Sequence, residues 1–146
     1  MSLQKKQKVF GIGFQKTGTT SLENALSILG YRVCGPFGLH SKDIANMALS
    51  EALEMAKNFD AFQDNPWPML FSELDNAYPG SKFVLTIRDH DKWFESVEKH
   101  FGTESTPMRE WIYGFGSPIG NRAAYINRYN QHNNAVFEYF SKRPDD

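Results

Sequence analysis

The chain has a single cysteine, Cys34, among 146 residues. One thiol closes no internal disulfide and builds no zinc site by itself. An excess of either charge is also missing: Lys and Arg total 16, Asp and Glu total 17, and the formal net charge is -1. A strongly basic nucleic-acid binder is not composed this way, so no nucleic-acid polymer is expected as a partner. No apolar run approaches the ~20 residues of a membrane-spanning helix. The N-terminus, MSLQKKQKVFGIGF, has lysines but no long apolar stretch before its glycines. No signal peptide is therefore expected, and the cytoplasm is the expected compartment. Internal repeats and low-complexity tracts are absent as well.

What the chain does have is apolar and aromatic weight. Hydrophobic residues make up 40%, aromatics 14% and charged residues 23%. That excludes disorder and allows one domain with a core of its own. The neutral average hides an asymmetry: residues 1–22 hold Lys5, Lys6, Lys8 and Lys16 and no acid. Residues 1–7 read as a flexible basic N-terminus or tag, and the domain is expected over 8–146. A site near residue 16 would favour an anion.

Strand and helix signals alternate. Residues 8–13, KVFGIG, read as a strand. SLENALSILGY follows with Leu22, Ala25, Leu26 and Leu29 on one helical face, and Gly30 ends it. Residues 31–35 read as a second strand and 41–58 as a helix, with Ile44, Ala48, Ala52 and Met55 on one side. FDAFQD, 59–64, is a third strand. NPWP forces a turn, and MLFSELDNAY is a helix stopped by Pro79-Gly80. KFVLTIR, 82–88, is the strongest strand, and its apolar run predicts cover on both faces. Asp89 or Asp91 caps the helix that follows. Residues 102–120 read as a lid or substrate loop with a short helix. Residues 121–142 are a long helix whose apolar side is Ala123, Ile126, Tyr129, Val136, Phe137 and Phe140. The pattern predicts a three-layer α/β/α domain with a parallel sheet.

Between the first strand and helix lies Gly13-Phe-Gln-Lys-Thr-Gly-Thr-Thr-Ser21. The standard phosphate loop is G-x-x-x-x-G-K-[ST]. Gly13 and Gly18 keep its spacing and Thr20 takes the Ser/Thr place. Thr19 stands where the lysine would be, and the lysine comes earlier, as Lys16. Such a loop turns backbone N–H groups and a helix N-terminus toward an anion. A plain Gly-Thr turn with a helix cap is the structural alternative. A second constellation follows the best strand. Arg88 falls at the strand's carboxyl end, where open α/β sheets bind ligands, and Ser96 is two turns into the next helix. The two can converge on one phosphate, Arg88 as a fork of donors. Otherwise Arg88 pairs with a nearby Asp and Ser96 is a helical surface residue.

Together the two motifs resemble the sulfotransferases that use 3'-phosphoadenosine 5'-phosphosulfate (PAPS). FQKTGTTSL resembles their 5'-phosphosulfate loop and Arg88-x7-Ser96 their 3'-phosphate motif. Tyr78-Pro-Gly-Ser-Lys-Phe and Trp93 are also similar to the family, and the likeness is nearest to its short bacterial and marine-type branch. The resemblance runs from about residue 8 to the end. It implies the P-loop nucleotide-kinase-like topology, strand order 2-3-1-4, with PAPS as co-substrate and no metal. Gln15, Lys16, Thr17, Gly18, Thr19, Thr20 and Ser21 would hold the 5'-phosphosulfate, and Arg88 and Ser96 the 3'-phosphate. Lys16 would also neutralise the bridging oxygen as the sulfuryl group leaves. The family's base is a His or an acid near the end of the third strand. That implies Asp64, with His40 as second candidate; Asp64 otherwise caps the NPWP turn. The family usually has one more strand and helix beyond KRPDD, so a C-terminally incomplete domain lacking its fifth, edge strand is expected.

Phe37, Trp67, Phe71, Trp111 and Tyr113 are candidates for an apolar acceptor cleft, with ordinary core or lid packing as the alternative for each. The acceptor is a hydroxyl or amine of a small molecule, carbohydrate or lipid, and self-association is left open. Two rival functions share the fold. One is a nucleotide-dependent small-molecule kinase, which the absent GK[ST] lysine and the Arg88/Ser96 pair disfavour. The other is a nucleotide-binding protein without catalysis.

Overall fold

Alternation along four short strands decides what each face of the sheet carries. The computed structural model describes residues 7–143. Its strands are β1 (Val9–Gly11), β2 (Val33–Cys34), β3 (Ala61–Phe62) and β4 (Lys82–Val84). They form one parallel sheet in the order β2-β3-β1-β4, which is the expected order. The helices are α1 (Thr19–Ile28), α2 (Ile44–Ala56), α3 (Phe71–Ala77), α4 (His90–Phe101), α5 (Pro107–Tyr113) and α6 (Arg122–Ser141). A 3-10 turn, Trp67–Leu70, precedes α3. Helices on both faces complete the three-layer α/β/α architecture.

In register, Val33, Ala61 and Val9 form one row across the sheet, and Cys34, Phe62, Phe10 and Phe83 the next. Successive side chains point to opposite faces, so the rows serve different cores. The first row meets α1 through Leu22 and Leu26 in a small cluster. A side chain on Gly11 would lie 2.7 Å from Leu22, so glycine is what lets α1 sit this close. The second row enters the main core, where Phe10 stacks on Phe62 at 4.8 Å and on Phe83 at 5.3 Å. Both faces are covered, but unequally: α1 guards one side with two leucines, and the other carries Trp67, Leu74, Trp93 and the inner sides of α2, α5 and α6.

Three expectations are corrected by the structure. The strand expected over 82–88 ends at Val84, and Ile87 is 51% exposed. The chain leaves the sheet there to pack Thr86 against Gly13, and β4 is an edge strand with half-buried Phe83 and Val84. On α1, Leu29 is exposed, because the helix overhangs the narrow sheet and only Leu22 and Leu26 reach it. On α6, Ala123 and Phe137 face outward, and the buried residues are Tyr125, Tyr129, His132, Asn133 and Val136. Two polar members of that face made the apolar count point slightly around the helix. No helix among the described residues is long and apolar enough to cross a membrane.

Candidate active site

The loop after β1 is anchored from below before it is offered to a ligand. Ile12 and Phe14 are fully buried, and Phe14 stacks on His132 at 4.4 Å. His132 donates through Nε2 to the Ile12 carbonyl at 2.7 Å. A Cβ on Gly13 would lie 2.2 Å from the Thr86 hydroxyl and 2.5 Å from its carbonyl oxygen, so only glycine fits. Thr17 turns its hydroxyl to the Phe14 carbonyl and to Thr86 Oγ1, 2.7 Å away. Gly18, at φ 102°, precedes α1, and no side chain caps that helix. Its first-turn N–H groups are therefore left without a side-chain acceptor and can donate to an anion.

Lys16 has φ 67° and Asp64 has φ 72°, and they are the two non-glycine residues with positive φ among those described. Their neighbours tie them together. Gln15 Oε1 accepts from Asn65 Nδ2 at 2.6 Å, and Gln15 Nε2 donates to the Tyr113 hydroxyl at 3.0 Å. Trp93 Nε1 donates to the Gln15 carbonyl at 2.9 Å. Buried amides thus hold two strained residues that left alone would relax.

The second motif arrives from the end of β4. The Tyr129 hydroxyl accepts from the Arg88 N–H at 2.8 Å and donates to the Arg88 carbonyl at 2.9 Å. The Arg88 guanidinium donates to the Lys16 carbonyl at 3.3 Å, joining the two motifs directly. Asp89, not Asp91, caps α4 by accepting from Lys92 N at 3.1 Å; Asp91 pairs with Arg122. Ser96 projects from α4 into the same space.

That space is a cavity of about 510 Å³ at the carboxyl ends of the strands, and Lys16, Gly18, Thr19, Thr20, Ser21, Arg88 and Ser96 all line it. Asp64 lines it too. Its Oδ1 accepts from Asn65 N at 2.7 Å. Burial raises its affinity for a proton above the ordinary carboxylate range, against the Asn65 N–H and the positive charges of Lys16 and His100, which favour the anion. A larger hollow of about 970 Å³ lies at the opposite ends of the strands, among Lys8, Arg32, Asp60 and Tyr78. It contains none of the motif residues, and ligands of open α/β sheets bind at the other end.

The remaining expected residues lie elsewhere. His40 is exposed and does not line the cavity, although Leu39 does. Trp67 is in the core, with Nε1 on the Gly35 carbonyl, and Phe37 stands edge-on to it. Phe71 packs on His132 and Tyr139. Trp111 lines a separate hollow beside Lys42 and Glu110. Tyr113 is buried against Tyr125, and burial pushes its hydroxyl pKa up. Gln15 touches the cavity, but its side-chain amide is engaged inward. The apolar wall is instead Pro36, Leu39, Phe101 and Met108, joined by His100, Thr106 and Arg109. Of these, His100 alone had a sequence signal: it lies four residues after Ser96, on the same side of a helix. No group of His, Cys, Asp and Glu suited to a metal ion occurs among the described residues.

A glycine-bounded loop after β1 and an arginine after β4 thus share one cavity at the carboxyl ends of a parallel α/β sheet. The chain matches the sulfotransferase domain family over residues 8–145 and belongs to that family. The reaction class is accordingly PAPS-dependent sulfuryl transfer. No curated protein matches the chain.

Proposed function

We propose that this cavity holds PAPS and passes its sulfuryl group to a hydroxyl or amine of a small-molecule, carbohydrate or lipid acceptor. The observation that carries the reading is the convergence of Lys16–Ser21 with Arg88 and Ser96 on one cavity. The donor set suits the nucleotide: an uncapped helix N-terminus, Lys16 and Arg88 among three cations on the wall, hydroxyls, and Asp64 as the single carboxylate there. Arg88 and Ser96 bind the 3'-phosphate, and Lys16, Gly18, Thr19, Thr20 and Ser21 bind the 5' end. Bound there, the nucleotide supplies the sulfuryl group and a 5'-phosphate leaving group.

Lys16 neutralises negative charge on the bridging oxygen as its bond to sulfur breaks. Asp64 takes the proton of the acceptor as the new bond to sulfur forms. Its raised pKa suits that task, since a carboxylate of ordinary pKa is a weak base near neutrality. Gln15 and Asn65 keep Lys16 and Asp64 in their strained conformations, and Thr17 braces the loop against Thr86.

Calorimetric titration with 3'-phosphoadenosine 5'-phosphate, set beside ATP with magnesium, tests the reading. The first should bind tightly and the second weakly. Arg88→Ala should weaken the first by about 10-fold or more, the worth of a charge-assisted hydrogen bond, and scarcely affect the second. Equal losses would refute a 3'-phosphate role for Arg88, and preferential binding of ATP would favour a kinase.

A further inference from the structure

A third positive charge on the cavity wall differs from Lys16 and Arg88 in being buried. Arg109, on α5, is 6% exposed and lines the same cavity as Lys16 and Arg88. Its Nε donates to the Gly116 carbonyl at 2.9 Å and its Nη2 to the Glu104 carbonyl at 2.8 Å. The guanidinium lies 4.1 Å from the centre of the Phe101 ring. The Tyr125 hydroxyl is a further hydrogen-bond partner of its side chain. These partners are neutral, and no ion pair to Arg109 occurs among the described residues. A buried charge is normally paired, because dipoles alone replace its lost hydration poorly.

The bonds that hold Arg109 also fix where its charge sits. It is stacked on Phe101 and tied to two turns, so it is not a mobile arm that swings to the loop at Lys16. Beside it, Thr106 is 4% exposed and its Oγ1 accepts from Arg109 N at 3.2 Å. A hydroxyl that accepts there still has its own hydrogen to donate. Pro36, Leu39 and Met108 make the adjoining surface apolar. The residues assigned to the nucleotide come from the β1–α1 and β4–α4 connections. Arg109 and Thr106 belong to neither, and both line the same cavity.

We propose that this wall is the acceptor subsite and that the acceptor is an anion: an apolar body bearing the reactive hydroxyl or amine and a carboxylate, phosphate or sulfate that seats on Arg109. The inference rests on the cavity's reading as a sulfotransferase site, and it narrows the acceptor to one chemical class. Neutral alcohols and amines of the same shape would leave Arg109 buried without a counter-charge, so they are selected against.

The test uses the full chain and matched probes. Hydroxyphenylacetate, hydroxyphenyl phosphate and the neutral hydroxyphenylacetamide are titrated calorimetrically, with and without saturating 3'-phosphoadenosine 5'-phosphate. The proposal expects the anions to bind about 10-fold or more tighter than the amide, with an advantage that shrinks as salt is added. The ratio of carboxylate to phosphate affinity tells which anionic group fits better. Arg109→Gln should abolish the advantage and leave the affinity for 3'-phosphoadenosine 5'-phosphate unchanged. If that variant does not fold, the comparison of probes in the unsubstituted protein decides alone. Equal affinity for anion and amide, including failure of both to bind, overturns the proposal. So does an Arg109→Gln variant that loses the nucleotide, since Arg109 then serves the nucleotide instead. Anion preference in a protein that fails to bind the nucleotide would refute the sulfotransferase reading of the cavity and leave the anion subsite standing.

Discussion

Replacing Asn65 by alanine probes the clamp behind the two strained residues. The substitution removes the donor that Gln15 Oε1 receives at 2.6 Å, in a pair that is buried on both sides. A buried acceptor left without a donor costs about 1–3 kcal/mol. Asn65 Oδ1, however, already lacks a partner among the described residues, so its removal returns part of that cost. A net loss of about 1–2 kcal/mol in urea unfolding follows. The effect on binding has a different origin. Lys16 at φ 67° is a side-chain-bearing residue in the left-handed region, a conformation that costs roughly 1–2 kcal/mol. Without the clamp, unliganded Lys16 relaxes, and binding must restore the strained form. The affinity for 3'-phosphoadenosine 5'-phosphate should then fall by about 5- to 30-fold. Unfolding and calorimetric titration of the same preparation separate the two. A variant destabilised as expected but binding with unchanged affinity would refute the idea that Asn65 preorganises Lys16.

Four further substitutions follow from other contacts. Burial pushes the His132 pKa down from 6.5 to about 4, so the folded state favours the neutral ring. A depressed folded pKa means that this contribution is complete above about 6.5 and is lost as pH falls from there toward 4, about 3 kcal/mol in all at 1.36 kcal/mol per unit. Urea midpoints measured across that window should fall steeply in the unsubstituted protein and more gently in His132→Gln. Gly13→Ala should cost about 3 kcal/mol, because the new methyl meets the backbone of Thr86, which cannot rotate aside. Gly18→Ala meets nothing within 4 Å and should cost only the ~1–2 kcal/mol of its positive φ; equal thermal shifts for the two would contradict the packing. Asp64→Asn should lower kcat about 10²- to 10⁴-fold while nucleotide binding persists. The unsubstituted enzyme's kcat/KM should rise with pH through a pKa above the ordinary carboxylate value, and that limb should vanish in the variant.

That the glycine-bounded loop and Arg88 meet in one cavity was readable in the sequence, because the signals are local. A glycine pair at fixed spacing between a strand and a helix, and an arginine at a strand's end, need no tertiary knowledge to be recognised. The strand order followed from the family resemblance and held. The aromatics show the limit of such reading. Trp67, Phe71 and Tyr113 are as apolar as cleft residues, and only packing tells that they face the core. Arg109 left no trace at all, since what sets it apart is its burial without an ion pair among the described residues. The end of β4 was misjudged for a related reason. An apolar run reports burial or β propensity, but not that Thr86 is drawn away by a glycine more than seventy residues earlier.

The hydroxyl of Tyr129 satisfies both backbone groups of Arg88, a task that in a sheet falls to a neighbouring strand. Arg88 is therefore moored to a helix and does not rely on β4's outer edge for its backbone hydrogen bonds. A new strand laid along that edge, from any source, would extend the sheet without moving Arg88. Slight rotation of α6 would move it at once. If Arg88 holds the nucleotide's 3' end as proposed, its placement is set from behind, by helix packing, and variation in α6 should shift nucleotide affinity without any change in the motif residues.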